Sequence, residues 1–247
     1  MKVAFLGTNG WFDSPTGNTV CTAVDTRDAT IVFDAGYGIS KLDQYADMEK
    51  PAYLFLSHFH LDHVAGLHVL PKFRFPRGLF ICGPEGIEEA LGRLLDAPFT
   101  LPLAELPFAT QLLPLPAFEA ALPFPTRSLP LVHTSLCLGF RLHLDDRVIA
   151  YCTDTGYCTN AVDLARDADL LIAECSFPIG KESAEWPHLN PESAARIASE
   201  AGAKQLVLIH FDANEYGDLE ARDQAERAAA RRFPSVRAAR DGMTIEV

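Results

Sequence analysis

Within SHFHLDHVAGL, residues 57 to 67, the side chains of His58, His60, Asp62 and His63 fall within six consecutive positions directly behind the apolar run AYLFL. Imidazole and carboxylate together suit Zn, Mn or Fe, with Zn the usual ion where no redox chemistry is needed. In an extended or tightly turning segment, side chains at i and i+2 share one side, so His58 and His60 can converge on a single ion. Asp62 and His63 are then free to face a neighbouring ion. Of the 8 histidines in the chain, three fall in this one short stretch. That concentration points to metal binding rather than to a bland polar turn.

One cluster cannot complete a pair of sites, and three further donors stand in comparable places. His133 ends SLPLVH, Asp154 ends RVIAYCTD and His210 ends KQLVLIH. In α/β proteins the carboxyl ends of strands are where loops gather around a site. Each of the three alone reads as a turn residue; with the first cluster they form a set.

The elements that must position these donors are legible as short runs. KVAFLG, TVCTAVDT, TIVFDAG, AYLFLS and GLFICGP read as strands bounded by Gly, Pro and Asp. GIEEALGRLLDA has helical spacing of its apolar residues. FRLHLDDRVIAYCTD reads as a hairpin turning at Asp145 and Asp146, and DADLLIAECSF as a continuous apolar strand. Asn190 is expected to cap a helix that has Pro191 at its first position and stops at Gly202. KQLVLIH, DLEARDQAERAAARRF and MTIEV then read as strand, amphipathic helix and strand. Residues 98 to 130 are proline-rich yet apolar, and are expected to form packed short strands rather than a linker. Strands alternating with helices in both halves indicate an α/β architecture.

Composition narrows the function classes. No apolar run approaches the roughly 18 residues of a membrane span, and MKVAFLGTNGW reads as a strand and turn rather than a signal peptide, so a cytoplasmic location without membrane contact is expected. The 6 cysteines are scattered without a C-x-x-C pair, which predicts buried reduced thiols. A formal net charge of -12 argues against general nucleic-acid binding. KFRFPRG interleaves Lys72, Arg74 and Arg77 with Phe73 and Phe75; it reads as a solvated strand edge, with a phosphate or base contact as the alternative.

The pattern H-x-H-x-D-H after an apolar strand, followed by His, Asp and His at later strand ends, resembles the metallo-β-lactamase superfamily of metallohydrolases. That resemblance implies an αββα sandwich of two similar halves, a single hydrolase domain over residues 1–247, and a dinuclear site at one edge of the sheets. It implies two divalent ions, Zn2+ first and Mn2+ or Fe2+ as alternatives. By this carry-over His58, His60 and His133 hold one ion, Asp62, His63 and His210 hold the other, and Asp154 bridges them. An Asp at the bridging position, rather than a Cys, points away from true β-lactamases.

FLGTNGWFDSPTGNT and HTSLCLGFRL are similar to segments of ribonuclease Z and of the small phosphodiesterase of phosphonate breakdown. IAECSF and HLNPESAARIASEAGAKQLVLIHF resemble the ribonuclease Z segment in which a glutamate-containing turn and a His precede the last metal ligand. The resemblance makes His188 the residue that assists proton transfer, with Glu174 orienting it. The basic arm with which ribonuclease Z holds tRNA has no counterpart, and FDANEY departs from the H-F-S that often follows the last ligand.

A dinuclear phosphodiesterase is therefore expected, with Asp62 orienting a hydroxide shared by the ions, acting on a small or nucleotide-like diester. Extended nucleic acid is disfavoured as a substrate, and a homodimer is left open. A carboxylic ester, lactone or thioester hydrolase is the alternative, with PFTLPLAELPF lining an apolar pocket. A metal-bound ligand-binding module is the non-enzymatic alternative.

Overall fold

Successive residues of a strand point to opposite sides, and in the central strands of this chain both sides are apolar. Tyr53 and Phe55 pack on one side of Ala52–Phe55, and Ala52 and Leu54 on the other. Leu170 and Ile172 part from Leu171 and Ala173 in the same way. Strands buried on both faces require a layer on each side, and a computed structural model of all 247 residues shows those layers.

The first sheet has seven strands in the order Thr244–Glu246, Lys2–Gly7, Cys21–Asp25, Thr30–Phe33, Ala52–Phe55, Leu79–Pro84 and Thr110–Leu115. The second has six, in the order Val236–Ala238, Leu206–Ile209, Leu170–Glu174, Arg147–Cys152, Leu138–Leu144 and Thr126–Pro130. Each sheet is antiparallel at one end and parallel at the other. The two halves are thus built alike. Between the sheets lies an aromatic core in which Phe33 stacks on Tyr151 with ring centroids 4.6 Å apart and Phe55 meets Phe140 edge to face. Helix Ile87–Leu94 and two 3-10 helices cover the first sheet; helices Thr159–Ala165, Pro191–Ala201 and Leu219–Ala230 cover the second. The architecture is the αββα sandwich. None of its helices is long and apolar enough to cross a membrane.

Local signals hold where side-chain chemistry dictates them. The hairpin turns at Asp145 and Asp146, with φ of 47° and 63°, the left-handed pair that a two-residue hairpin needs. Asn190 accepts from the Ser193 amide at 2.8 Å while Ser193 Oγ accepts from the Asn190 amide at 2.9 Å. This capping box contributes about 1 kcal/mol, and the helix ends at left-handed Gly202. It fixes the chain just after His188.

Two expectations are corrected. Residues 98 to 130 supply only the strands Thr110–Leu115 and Thr126–Pro130. Residues 98 to 109 are irregular apart from the turn Leu103–Glu105, with Phe99 83% exposed; prolines there remove the amide donors that a ladder requires. KFRFPRG is not a strand edge but the connection after the 3-10 helix Ala65–Lys72. Phe73 and Phe75 are buried in it while Arg74 and Arg77 face solvent, and Lys72 Nζ is held by Asp43 and the Ser40 carbonyl.

Candidate metal centre

Parallel strands end on the same side of a sheet, so the residues that follow them gather at one edge. Asp34 follows Thr30–Phe33, His58 follows Ala52–Phe55, Asp154 follows Arg147–Cys152 and His210 follows Leu206–Ile209. Asp34, Asp154 and His210 all have left-handed backbones, with φ of 55°, 49° and 53°. Asp and His enter that region more readily than most residues, at about 1–3 kcal/mol each, a strain that surrounding packing must sustain. Here it falls on three buried polar residues of one site.

The sequence-predicted donors meet in two trios that share one carboxylate. Asp154 Oδ2 lies 3.8 Å from His58 Nε2 and 3.7 Å from His133 Nε2, and His60 Nδ1 lies 3.2 Å from His133 Nε2. The other carboxylate oxygen, Asp154 Oδ1, lies 3.2 Å from His63 Nε2 and 3.1 Å from His210 Nε2, and Asp62 Oδ2 is 3.2 Å from the latter. One oxygen of Asp154 thus faces each trio. All seven donors are brought together as expected.

The surrounding hydrogen bonds settle which ring nitrogens are bare. Ser57 Oγ lies 3.0 Å from both Asp34 oxygens and donates there, so it accepts from His58 Nδ1. His58 Nε2 then keeps its lone pair, and it is buried without any hydrogen-bond partner. His63 Nδ1 donates to Asp34 Oδ2 at 2.9 Å. Ser176 Oγ donates to the His210 carbonyl and accepts from His210 Nδ1 at 2.9 Å. The Nε2 atoms of His63 and His210 therefore face each other 3.1 Å apart as two acceptors. Opposed lone pairs at that distance repel unless a cation lies among them.

Charge leads to the same requirement. Burial opposes the charge on Asp154, but His210 and His63 hold it well below the usual carboxylate range. Asp62 is also lowered, against burial, by His63 and by His210, whose Nε2 lies 3.2 Å from its Oδ2. Burial and the neighbouring His63 push His58 down, and burial pushes His133 down, so both stay neutral as ligands must. No lysine or arginine is among these residues. A buried pair of carboxylates ringed by bare imidazole nitrogens fits divalent ions, and the N/O donor set fits zinc-type metals.

His188 stands beside this cluster. Its Nδ1 is 2.9 Å from Glu174 Oε1, and its ring centroid is 5.4 Å from that of His133 and 6.1 Å from that of His210. Glu174, fully buried, also accepts from the amides of Thr155 and Ser176. Burial disfavours the imidazolium, yet Glu174 outweighs it and lifts His188 to about 9.

A cleft of about 500 Å³ opens over the cluster; its lining includes His60, Asp62, His188, Trp11, Phe177 and Trp186. Nothing from residues 98 to 130, nor Arg74 or Arg77, lines it. Sequence reasoning also overlooked Asp34, Ser57 and Ser176, which set the histidine tautomers, and Trp11, whose amide donates to Asp62 Oδ2 at 2.8 Å. A further Asp at the end of a buried strand, in TIVFD, was the one available signal for Asp34.

Two substitutions probe this supporting layer. Asp34→Asn keeps the shape but loses the anion that Tyr151 Oη and His63 Nδ1 donate to; metal affinity should fall about 10- to 100-fold by titration against a chelator. At Gly10, paired with Asp212, an added Cβ would lie 2.5 Å from His210 Cε1. Gly10→Ala should displace His210 and lower metal occupancy on the Asp62 side, read by metal analysis of the purified variant.

Comparison with known proteins agrees with the geometry. The family model described as beta-lactamase superfamily domain matches residues 29–211. A probable metallo-hydrolase of Bacillus subtilis, YhfI, is 31% identical over 221 residues, covering 85% of this chain and 87% of its own. Its crystal structure superposes with a TM-score of 0.81 at 26% identity, covering 100% of this chain and 98% of that one. Ribonuclease Z of Lactiplantibacillus plantarum is 26% identical, covering 100% of this chain and 98% of its own. That alignment runs over 308 positions against the 247 residues here, so the relative carries a segment that this chain lacks. The family model, the relatives and the fold agree: the chain belongs to the metallo-β-lactamase superfamily and is a metal-dependent hydrolase with ribonuclease Z among its relatives.

Proposed function

We propose that this hydrolase is a phosphodiesterase that works with two divalent ions, zinc first among them, on a small or nucleotide-like diester. His58, His60 and His133 would hold one ion, Asp62, His63 and His210 the other, and Asp154 would give one oxygen to each. Such ions supply Lewis acidity and a water whose pKa is lowered to about 7.

The chain's own residues supply position and protons. Ser57, Asp34 and Ser176 fix the ring orientations, so the donors need not reorganise during reaction. The Trp11 amide anchors Asp62 Oδ2 at the cleft, where that carboxylate can orient the attacking water. His188, held by Glu174, keeps a proton at neutral pH and can pass it to the leaving alkoxide. This pair, half-buried His188 on fully buried Glu174 beside the cluster, is the observation that carries the reading. Similarity to ribonuclease Z supports the same bond type.

An ester, lactone or thioester hydrolase loses its specific support, because PFTLPLAELPF lies away from the cleft. Six free cysteines are in keeping with a cytoplasmic setting. Metal-loaded protein should turn over a chromogenic phosphodiester with a kcat/KM at least about 100-fold above that for any lactone or thioester, a difference of about 2.7 kcal/mol in transition-state stabilisation. The reverse order would sink the phosphodiesterase reading, and no turnover on either class would favour a binding module.

A further inference from the structure

The chain has 2 tryptophans, and both line the cleft above the metal centre. Neither is used in a core: Trp11 is 65% exposed and Trp186 is 59% exposed. They come from distant parts of the chain, Trp11 from the loop after Asn9–Gly10 and Trp186 from the irregular segment before His188. Large exposed indoles gain nothing for folding, and gathering them at one mouth suits recognition of a flat apolar group.

Trp11 adds a second observation. Its φ is 69°, a left-handed backbone that a bulky residue adopts only under constraint. That backbone directs the Trp11 amide to Asp62 Oδ2 at 2.8 Å. Gly or Asn would make the same amide contact with less strain. The strain therefore sits where an indole stands over the reacting centre, the circumstance in which an outlier signals function. Phe12 supports the ring edge to face, with centroids 5.2 Å apart.

Charge limits what the flat group can be attached to. Lys181 is the one lysine or arginine in the lining, and its Nζ is already paired with Glu215 at 2.6 Å. Asp62, Asp154 and Asp212 line the same cleft. His188, the other proton-carrying base in the lining, already faces Glu174 at 2.9 Å, so beyond bound metal the cleft has no unpaired cation for a second phosphate.

We propose that Trp11 and Trp186 are the specificity determinants of this site, stacking the nucleobase or other planar aryl group of a phosphodiester that carries a single negative charge. The inference rests on the phosphodiesterase reading for the bond cleaved, but stacking is measurable without turnover. Base–aromatic stacking of this kind is worth about 1–3 kcal/mol per base, hence at least about a fivefold change in affinity for each ring removed.

The test uses the full chain loaded with Zn2+ and titrates three probes, each followed by tryptophan fluorescence and calorimetry. Adenosine 3′,5′-cyclic monophosphate has a base and one charge, dimethyl phosphate has one charge and no base, and adenosine diphosphate has a base and more charge. The cyclic nucleotide should bind at least about 25-fold more tightly than dimethyl phosphate, two stacking faces at about fivefold each, and more tightly than the diphosphate. Trp186→Ala and Trp11→Ala should each cut the first ratio at least about fivefold, with Trp→Phe restoring most of it, since a phenyl face also stacks. Metal content measured on each variant separates a lost ring from a disturbed centre.

Equal affinity for the cyclic nucleotide and dimethyl phosphate, or a ratio that survives both alanine substitutions, would overturn the clamp. Tighter binding of the diphosphate would overturn the single-charge requirement. A failed phosphodiesterase reading would look different: the ratio would hold while every diester stayed intact.

Discussion

Asp154→Ala should remove both metal ions together and lower turnover by at least about 10³-fold, because Lewis-acid stabilisation worth several kcal/mol depends on the bridged pair. The geometry makes the effect joint rather than local. Asp154 Oδ2 faces His58 and His133 while Oδ1 faces His63 and His210, so its carboxylate presents one oxygen to each trio. Without that anion, His58, His63 and His210 remain buried with their lone pairs opposed and less negative charge to draw a cation in. Metal analysis of the purified variant beside wild type, with a folding control by circular dichroism, checks the prediction. Retention of one full equivalent would mean that the trios bind independently and that Asp154 serves only one of them.

The second large effect is expected at His188. His188→Ala should lower kcat about 10²- to 10⁴-fold, the usual contribution of a positioned general acid, while metal content stays at the wild-type level. A parallel loss of metal would instead make His188 a ligand, a role that its closeness to donor atoms of Asp154 and His210 makes worth excluding. The pH dependence supplies an independent readout. His188 is lifted to about 9 by Glu174 against the effect of burial, so the acid form is present below that pH and is lost above it. Activity that needs this proton should decline on the alkaline side. Glu174→Gln removes the charge that holds the proton and should move the decline to lower pH by about one unit or more, as loss of an adjacent opposite charge does. An unmoved alkaline limb would separate Glu174 from the proton transfer.

Residues with distinctive chemistry and short spacing announced themselves before any coordinates. His58, His60, Asp62 and His63 sit within one turn of chain, and His133, Asp154 and His210 each end an apolar run. Those runs indicate only an α/β architecture; the four-layer sandwich was implied by the family resemblance, and strands apolar on both faces fit it. Asp34, Ser57 and Ser176 were invisible for a physical reason. Their work depends on what lies across the fold: Asp34 meets Ser57 and His63 from one stretch of chain and Tyr151 from another, and no periodicity encodes that meeting. Trp11 and Trp186 share the same reason, being far apart in sequence and brought to one cleft only by the fold.

The two misplaced stretches failed in the opposite direction, where composition suggested more order or more function than the fold uses. Apolar content made residues 98 to 109 look like strands, but proline spends backbone donors that a sheet requires. KFRFPRG read as a solvated strand edge, but it forms no strand, and its Phe73 and Phe75 pack against the first sheet's outer face. Its cations point to solvent or to Asp43, away from the cleft.

The central claim is that two trios of donors, joined through Asp154, hold two divalent ions in one hydrolytic site. Its most direct test is the metal stoichiometry of the full chain prepared without chelator and then titrated with Zn2+ or Mn2+. Two equivalents per chain, with turnover rising as the second binds, is the predicted result. Saturation at one equivalent with full activity, or no uptake of either metal, would contradict it.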